Sequence, residues 1–330
     1  MTAIVYSPKF LHHKNLGHPE RPERLVAIME FLEEMPFFSS LHMVHPSPLE
    51  EEYIKEIHSQ EMIERVKNTV GWLDPDTYVG KESYEIAKLA AGGLVNVCMD
   101  IMDGKEKNAF ALIRPPGHHA TATRSMGFCL FNNVALAAHA LAKKGKRVLI
   151  FDHDVHHGNG TCDIFYERSD VMYQSIHLFP HYPGTGMMEE VGKGDGEGFT
   201  VNAPLPRFVG DCGIEKILDE IFLPISEQFS PDIIIISAGF DSHHADPLGG
   251  LSLSINFYGK MIEKFREIQK RIVCALEGGY KLDTLKKGVI SEIGMLNNTP
   301  ITFDDYSDEK TDVEEIVKNL RKTFQDYWEL

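Results

Sequence analysis

Histidine and carboxylate side chains cluster at four points of the 330-residue sequence, each after an apolar run typical of a buried strand. The four segments are RPPGHH at 114–119, DHDVHHGNG at 152–160, SAGFDSHHAD at 237–246 and EGGY at 277–280. Histidine and carboxylate groups bind divalent cations and transfer protons. Because open α/β sheets bind ligands beyond the carboxyl ends of their strands, the pattern predicts one cleft that these segments share.

Asp154, His156 and Asp241 are the predicted metal ligands of this cleft. Side chains alternate along a strand, so Asp152, Asp154 and His156 face one side if the strand conformation continues. Buried carboxylates without partners carry a large desolvation cost, which a divalent cation removes. Three protein ligands leave a position for water and substrate, and two oxygens with one nitrogen suit Zn²⁺, with Fe²⁺, Co²⁺ or Mn²⁺ as alternatives. The competing interpretation is a salt-bridged cluster without metal.

The pair His118-His119 follows a Pro-Pro-Gly turn, which can hold both rings toward the cleft. Amide hydrolysis needs a base that activates water and an acid that protonates the leaving amine. Asp152 and Asn159 are the candidates for orienting these histidines. Tyr280 follows two glycines at a strand end, where a phenol can donate to a developing oxyanion. A surface loop for the histidines and a rim aromatic for the tyrosine are the competing interpretations.

Short β-branched runs alternate with longer helical stretches, which is typical of a doubly wound α/β domain with a parallel sheet. The predicted strands span 3–6, 109–113, 148–152, 172–177, 200–203, 233–237 and 272–276. The predicted helices span 23–34, 50–70, 83–102, 133–143, 213–229, 255–270 and 282–296. No linker or repeat interrupts the pattern, so we expect a single domain over 1–330, with a terminal helix at about 308–327 packed on it.

The charge and cysteine content exclude several classes of function and site. With 33 basic and 49 acidic residues the net charge is −16, which argues against binding to nucleic acid or an anionic membrane. Five cysteines at wide spacing, with no CxxC motif, predict a reducing compartment without disulfides or a cysteine-based zinc module. The N-terminus does not have the pattern of a signal peptide, so we expect a soluble, cytoplasmic protein. The oligomeric state stays open.

Seven motifs, in family order, resemble the zinc-dependent histone deacetylase superfamily, which includes acetoin-utilisation-type deacetylases and acetylpolyamine amidohydrolases. They are GHPERPERL at 17–25, RPPGHH at 114–119, GFCLFNN at 127–133, DHDVHHGNG at 152–160, SIHLFPHYPGTG at 175–186, SAGFDSHHADPLGG at 237–250 and EGGY at 277–280. The resemblance covers most of the chain. It implies the arginase–deacetylase fold, an α/β domain with a central eight-stranded parallel sheet flanked by helices.

The resemblance also implies roles for individual residues. It assigns zinc to the three predicted ligands, acid–base catalysis to His119, an electrostatic role to His118 and oxyanion stabilisation to Tyr280. The residues that it places along the acyl-lysine tunnel and its rim are Gly127, Phe128, Tyr182, Leu248 and Asp76. Arg24 would line an internal acetate channel.

Potassium binding near the catalytic metal is a further implication of the resemblance. The matching groups are the carbonyl oxygens of Asp152, Asp154, His156 and Ile176 and the side chains of Asp152 and Ser175. A second potassium ion would lie near Phe165, Arg168, Val171 and Phe199.

Asn159 is one departure from the first-class eukaryotic pattern, in which an aspartate follows the second histidine motif at this position. Second-class and bacterial members resemble this sequence more closely. Because an amide carries no compensating charge, we expect His119 to be less basic than His118.

The predicted function is metal-dependent hydrolysis of acetyl-lysine side chains in proteins, in which metal-activated water is the nucleophile. The alternatives are an acetylpolyamine amidohydrolase, a ureohydrolase and a non-catalytic acetyl-lysine-binding module. A ureohydrolase needs two bridged metals and a GGDH-type strand end where RPPGHH stands, and a binding module would tolerate the loss of Tyr280. The net charge favours a small cationic acetyl-amine, whereas the apolar Leu248, at the position of the carboxylate gatekeeper in polyamine enzymes, favours acetyl-lysine.

Overall fold

Eight parallel strands form the central sheet of the computed structural model, which describes residues 1–15 and 17–330. In chain order the strands are β1 (Thr2–Val5), β2 (His42–Val44), β3 (Gly71–Trp72), β4 (Tyr78–Val79), β5 (Asn108–Ala111), β6 (Val148–Asp152), β7 (Val171–Leu178), β8 (Thr200–Leu205), β9 (Ile233–Ala238) and β10 (Ile272–Leu276). The main sheet has the order β2-β1-β5-β10-β9-β6-β7-β8, and every neighbouring pair is parallel. The predicted parallel sheet is confirmed, and β3 and β4 form a separate antiparallel hairpin.

Helices flank the sheet and complete one continuous hydrophobic core. They are α1 (Glu23–Glu33), α2 (Glu51–Ile54), α3 (Gln60–Asn68), α4 (Ser83–Met102), α5 (Asn133–Ala142), α6 (Asn159–Phe165), α7 (Asp211–Ile217), α8 (Leu223–Phe229), α9 (Ile255–Ile268), α10 (Leu282–Leu296) and α11 (Glu314–Phe324). Short 3₁₀ segments occupy Pro8–His12, Phe38–Ser40 and Gly194–Gly196, and a π-helical turn at Leu218–Phe222 joins α7 to α8. Across residues 1–15 and 17–330, no helix is long and apolar enough to cross a membrane.

The central strands are buried on both faces, which explains their uninterrupted apolar sequences. Every residue of β9, with the sequence IIIISA, is buried, and the same is true of β6, with the sequence VLIFD. Each fully buried isoleucine or valine contributes about 1.5–3 kcal/mol relative to an exposed one. Strands that are buried on both faces have continuous apolar sequences without alternation. The observed bounds of β6, β9 and β10 therefore lie close to those predicted from such sequences.

Four neighbouring strands carry the four polar segments to one edge of the sheet. β5, β10, β9 and β6 are consecutive in the sheet. RPPGHH and EGGY follow β5 and β10, SAGFDSHHAD begins within β9, and DHDVHHGNG begins at the last residue of β6. Since all four strands run in the same direction, the segments meet at their carboxyl ends, as the sequence predicts.

Two predicted helices differ from the observed ones for identifiable reasons. The predicted helix 50–70 is wrong as one element, because Ser59 caps a new helix by accepting the Met62 N–H at 3.3 Å. The predicted helix 213–229 begins earlier, at Asp211, and contains the π-helical turn. There the Gln174 side chain donates to the Phe222 carbonyl at 3.1 Å. Such a contact depends on β7, so helical periodicity within the segment does not reveal it.

Smaller differences occur at the edge of the sheet and at the C-terminus. The sequence analysis missed β2, a partly exposed strand of three residues, and the short helix α6. The terminal helix is shorter than the predicted 308–327, and α11 begins only at Glu314. It buries Val317, Leu320 and Phe324.

Glu20 is a buried carboxylate that lies between two buried guanidinium groups. Its Oε2 accepts from Arg114 Nη2 at 2.7 Å, its Oε1 also contacts Arg114 Nε, and Arg24 Nη1 lies 3.3 Å from Oε1. None of these side chains is more than 1% exposed. Burial alone would raise the pKa of Glu20, but Arg114, followed by His13 and Arg24, lowers it to about 2.

The two arginines connect this ion cluster to two further segments of the chain. Arg114 donates to the carbonyl oxygens of Phe10 at 2.8 Å and His13 at 3.0 Å. Arg24 donates to those of Gly279 at 2.7 Å and Glu277 at 2.5 Å. Glu20 therefore neutralises the charges that hold the N-terminal segment and the EGGY loop against the RPPGHH loop.

Replacing Glu20 with glutamine should destabilise the protein in a pH-dependent way. The folded-state pKa of about 2 lies below the ordinary value of 4.5, so the stabilisation by ionised Glu20 is complete above about pH 5. It is lost as the pH falls from about 4.5 to 2. Glu20→Gln should lower the free energy of unfolding at pH 7 by roughly 3 kcal/mol. Urea unfolding at pH 7, 5 and 3 measures it.

The matched control for this variant is Glu61→Gln, at an exposed position of α3. Glu61→Gln should change the unfolding free energy by less than about 0.5 kcal/mol at every pH. If Glu20→Gln lowered the free energy of unfolding equally at pH 3 and pH 7, the charge of Glu20 would not be the stabilising feature.

Candidate active site

A cavity of about 260 Å³ opens at the carboxyl ends of the central strands. All five residues predicted for the tunnel and rim line it, namely Asp76, Gly127, Phe128, Tyr182 and Leu248. His118, His119, His156 and Tyr280 line the same cavity. The structure therefore brings the predicted substrate residues and the predicted catalytic residues into one space.

The three predicted metal ligands converge on one point of this cavity. His156 Nδ1 lies 3.0 Å from Asp154 Oδ1 and 3.2 Å from Asp241 Oδ2. The predicted strand alternation is not the cause, because β6 ends at Asp152 and the next residues form a loop. Instead, Asp152 Oδ1 accepts the Asp154 N–H at 3.1 Å, and Asp154 Oδ1 accepts the His156 N–H at 3.0 Å.

The donor set fits a divalent cation. Asp241 Oδ2 is buried without a hydrogen-bond partner among the described residues, which is unusual for a carboxylate oxygen. Burial alone would lower the pKa of His156, but its hydrogen bond to Asp154 and the neighbouring Asp241 carboxylate raise that pKa to about 10. The space between the three groups therefore favours positive charge. Two oxygens and one nitrogen are donors that Zn²⁺ accepts.

Gly278 allows the two metal-binding carboxylates to approach the EGGY loop. A Cβ at this position would lie 2.2 Å from Asp241 Oδ2 and 2.5 Å from Asp154 Oδ2. The Gly278 N–H also donates to Asp154 Oδ2 at 2.8 Å. Any side chain at position 278 would displace the carboxylates, so the glycine is required here by close approach.

The adjacent histidines differ in their partners and in their basicity. His118 Nδ1 donates to Asp152 Oδ2 at 3.1 Å, whereas His119 Nδ1 donates to Asn159 Oδ1 at 2.9 Å. Burial opposes protonation of His118, but carboxylates, Asp154 foremost, raise its pKa to about 10. Burial, followed by the charge of His118, lowers the pKa of His119 well below its usual range. This order of basicity is the one that the sequence predicts.

Tyr280 presents a free hydroxyl to the cavity. Its ring meets the Phe128 ring edge-on, with centroids 5.9 Å apart, and the Arg24 guanidinium lies 5.2 Å from its centroid. Among residues 1–15 and 17–330, no group hydrogen-bonds to the hydroxyl. Burial, with a further contribution from Asp241, raises the pKa of Tyr280 well above its usual range, so the O–H remains a donor.

Arg24 holds the backbone that carries Tyr280. The resemblance places Arg24 beside an acetate channel, and its donors in the structure are occupied by Glu20 and by the carbonyl oxygens of Glu277 and Gly279. The observed contacts are therefore those of a group that anchors the EGGY loop.

The tunnel walls depend on an unusual backbone at Gly127 and Phe128, which have φ values of 56° and 70°. A Cβ at position 127 would lie 2.4 Å from the His119 ring, so only glycine leaves room for this predicted catalytic histidine. Phe128 adopts the left-handed region despite its bulky side chain, at a cost of order 1–3 kcal/mol. The Thr77 hydroxyl helps to hold it by accepting the Phe128 N–H at 3.2 Å.

Two residues of this site were missed by the sequence analysis. His181 lines the cavity, stacks on His156 with centroids 4.9 Å apart, and donates from Nε2 to the Leu248 carbonyl at 3.1 Å. Glu277 is buried and accepts the Gly117 N–H at 2.7 Å. Both lie inside motifs that carry the family resemblance, next to residues with a predicted role. This proximity in sequence was the only indication that they belong to the site.

A second histidine–carboxylate cluster, His243, His244 and Asp305, also brings potential ligand atoms within 4.8 Å of one another. The sequence leaves the His243-His244 pair unassigned. His243 Nδ1 accepts the Ala245 N–H at 3.0 Å, so the proton of the neutral ring is on Nε2, which faces Asp305 Oδ2 at 3.2 Å. This tautomer supports a hydrogen bond to Asp305 and leaves His243 without a lone pair for a metal.

The groups predicted for the first potassium ion lie beside the metal ligands. Asp152 and Ser175 are paired in register on β6 and β7, and Ile176 follows Ser175. The carbonyl oxygens of Asp154 and His156 accept no hydrogen bond from the described residues. Unpaired buried carbonyls of this kind are compatible with a bound cation.

The residues predicted for the second potassium ion gather around the start of β7. The carbonyl oxygens of Phe165 and Phe199 accept N–H groups of Arg168 at 3.0 Å and Tyr173 at 2.9 Å. Each carbonyl keeps a second lone pair. The Arg168 side chain is bound to Asp170, so only its backbone is available.

The parallel sheet, the three converging donor atoms and the neighbouring histidine pair define an α/β domain built as a hydrolase. Comparison with known proteins then identifies the family. The family model described as "Histone deacetylase domain" matches residues 18–296. The chain belongs to the histone deacetylase domain family, whose members include deacetylases from archaea, plants and fungi.

Three relatives illustrate the extent of this similarity. A "Probable deacetylase" from Archaeoglobus fulgidus is 40% identical over 295 residues, covering 86% of this chain and 82% of that protein. "Histone deacetylase 10, chloroplastic" from Oryza sativa subsp. japonica is 35% identical over 349 residues, covering 97% of this chain and 79% of that protein. The crystal structure of an HDA15 HD domain matches with a TM-score of 0.93 at 35% identity, covering 99% of this chain and 97% of that one.

Asp241→Asn should abolish stoichiometric metal binding while the protein stays folded. Asparagine can still accept the Val155 N–H, which Asp241 Oδ1 accepts at 2.9 Å, but it lacks the charge that a cation needs. Wild-type protein should hold about one Zn²⁺ per chain after loading and desalting. Elemental analysis and circular dichroism measure metal content and folding.

His244→Ala is the control, because it removes a ligand candidate from the second cluster. It should retain about one Zn²⁺ per chain. Retention of metal by Asp241→Asn, or its loss from His244→Ala, would contradict the assignment.

Proposed function

We propose that this chain hydrolyses the acetyl amide of acetyl-lysine side chains in proteins and uses Zn²⁺ held by Asp154, His156 and Asp241. The observation that carries the proposal is the unpaired Tyr280 hydroxyl, which opens into the same narrow cavity as the metal ligands and His119. A donor that has no hydrogen-bond partner among residues 1–15 and 17–330 is available at this place for a substrate oxygen.

The His119 ring is prepared for proton transfer by its hydrogen bond to Asn159. Because Nδ1 donates to the Asn159 carbonyl, Nε2 has a lone pair and no partner among the described residues. It can accept a proton from the attacking water and return it to the leaving amine nitrogen. Zn²⁺, when bound, would polarise the substrate carbonyl and the water as a Lewis acid.

His118 and Tyr280 stabilise the charge that develops during the reaction. His118, protonated and hydrogen-bonded to Asp152, provides positive charge beside His119. Tyr280 donates its O–H to the carbonyl oxygen as negative charge accumulates there. The aromatic rings of Phe128 and Tyr182 enclose the four-carbon stem of the lysine and restrict the entry of water.

Tyr280→Phe should lower kcat about 10²–10³-fold, because one oxyanion donor of this kind is removed. The affinity for a hydroxamate inhibitor should change far less, since the metal ligands are intact. Steady-state kinetics on an acetyl-lysine peptide and calorimetric titration measure the two effects. Tyr306→Phe, at a residue that is 73% exposed, is the control and should behave as wild type.

An effect of Tyr280→Phe on KM alone would show that the hydroxyl binds the substrate equally in its ground and transition states. The oxyanion assignment would then be wrong.

Leu248 at the rim and Arg207 near it favour acetyl-lysine over acetylpolyamine substrates. Leu248 is apolar, and it offers no charge to the distal ammonium groups of a polyamine. The exposed Arg207 guanidinium lies beside Gly250 of the same loop, and it has no ion pair among the described residues. A free cation at this edge repels further ammonium groups. Asp76, which also lines the cavity, has the reverse effect, but it equally suits a peptide backbone N–H.

The protein should therefore show a higher kcat/KM for acetyl-lysine peptides than for N-acetylputrescine or N-acetylspermidine. Leu248→Glu should shift this ratio toward the polyamines, because a carboxylate at the rim attracts their ammonium groups. Leu248→Gln, of the same size without charge, should not shift it. Kinetics for the three substrates at one ionic strength provide the test.

A preference of the wild-type protein for acetylpolyamines would make it an acetylpolyamine amidohydrolase. The assignment of the substrate would then be wrong, while the roles of the metal ligands and Tyr280 would stand.

A further inference from the structure

Asp246 binds the backbone of two loops that contribute lining residues to the cavity. Its Oδ2 accepts the N–H of Tyr280 at 2.7 Å and that of Lys281 at 3.1 Å. Its Oδ1 accepts the N–H of Leu248 at 3.0 Å. The side chain is 9% exposed, so these charge-assisted hydrogen bonds are shielded from water.

The backbone before Tyr280 cannot fix the position of this residue by itself. Gly278 and Gly279 precede it, and Gly279 has a φ of 114°, in a region that only glycine adopts readily. Two glycines permit many conformations, so the orientation of Tyr280 depends on contacts made by other parts of the chain. The Tyr280 N–H has Asp246 as its only hydrogen-bond partner among the described residues.

Asp246 is itself held by its own loop. Its N–H donates to the His243 carbonyl at 3.0 Å, and its carbonyl oxygen accepts the Gly249 N–H at 3.3 Å. The carboxylate therefore extends from a fixed backbone. Arg24 binds the carbonyl oxygens before Tyr280, and Asp246 binds the N–H groups that follow, so the loop is held from both sides.

We propose that Asp246 is a positioning residue for Tyr280, and that it also links the rim residue Leu248 to the oxyanion donor. The inference rests on the proposed function, in which the Tyr280 hydroxyl stabilises the transition state. Asp246 does not line the cavity, so it acts through Tyr280 rather than on the substrate.

The test is a double-mutant cycle between positions 246 and 280. Asp246→Ala should lower kcat about 10–100-fold on an acetyl-lysine peptide, since small displacements of a catalytic group have effects of this size. KM should change less than about threefold, and the Zn²⁺ content should match wild type. In the Tyr280→Phe background the same substitution should lower the remaining kcat by less than about threefold, because the group that it positions is absent.

Asp246→Asn provides the conservative comparison, and it also decides the question if Asp246→Ala does not fold. The asparagine oxygen can accept from the Tyr280 N–H, so this variant should recover most of the kcat lost in Asp246→Ala. Its smaller loss should also disappear in the Tyr280→Phe background.

Equal fold-losses of kcat with and without the Tyr280 hydroxyl would overturn the inference, because they would mean that Asp246 acts only on general stability. A wild-type kcat in Asp246→Ala would overturn it as well. Failure of the proposed function has a different signature, since Tyr280→Phe alone would then retain wild-type kcat.

Discussion

The ion cluster of Glu20 with Arg24 and Arg114 is the constraint on which the geometry of the cleft depends. Each of these charges is buried, and an unpaired charge at such a depth costs several kcal/mol. The carboxylate therefore fixes both guanidinium groups, and they in turn bind carbonyl oxygens of the loops around the cavity. Loops lack the regular backbone hydrogen bonds of helices and strands. Here their carbonyl oxygens accept hydrogen bonds from the two buried guanidinium groups, and these bonds give the loops a defined position.

The cleft itself concentrates negative charge that the protein must neutralise. Asp152, Asp154, Asp241 and Glu277 are all buried around the histidine pair. Two kinds of group reduce the repulsion. Carboxylates raise the pKa of His118 and so favour its protonated form, and backbone N–H groups of residues 117, 154 and 278 donate to the carboxylates. The negative charge that these groups do not neutralise is concentrated between Asp154, His156 and Asp241. The electrostatics, as well as the identity of the donors, therefore favour a bound cation at this point.

The sequence predicts those parts of the molecule whose cause is local. Buried strands such as β6 and β10 could be located to the residue, because short continuous apolar runs with β-branched side chains are typical of strands that are buried on both faces. The metal ligands and the histidine pair could be found because they follow these strands at the same edge of the sheet. The break between α2 and α3 also had a local signal, since Ser59 is a good N-cap, but the continuous helical periodicity around it concealed that signal.

The remaining features depend on contacts between distant segments, and no local pattern encodes them. Asp154 and His156 converge through a turn after the strand, not through strand alternation, so the predicted ligands lie together although the predicted local geometry was wrong. The role of His181 depends on Leu248, 67 positions later, and that of Asp246 depends on Tyr280, 34 positions later. Sequence motifs reveal that such residues lie near a site, whereas their partners require the fold.

The predicted metal ligands and the residues that would determine substrate specificity lie on different parts of this fold. Asp154, His156 and Asp241 come directly after two paired central strands, β6 and β9, where the sheet restricts movement. The groups that meet the substrate lie on loops, at positions such as Phe128 and Gly279 where the backbone adopts positive φ. Those conformations persist only because side chains from other loops hold them, including Thr77 at Phe128. A change of substrate can therefore arise through the loops while the predicted metal ligands stay in place, which is why the proposed preference for acetyl-lysine over acetylpolyamine rests on the rim and not on the metal site.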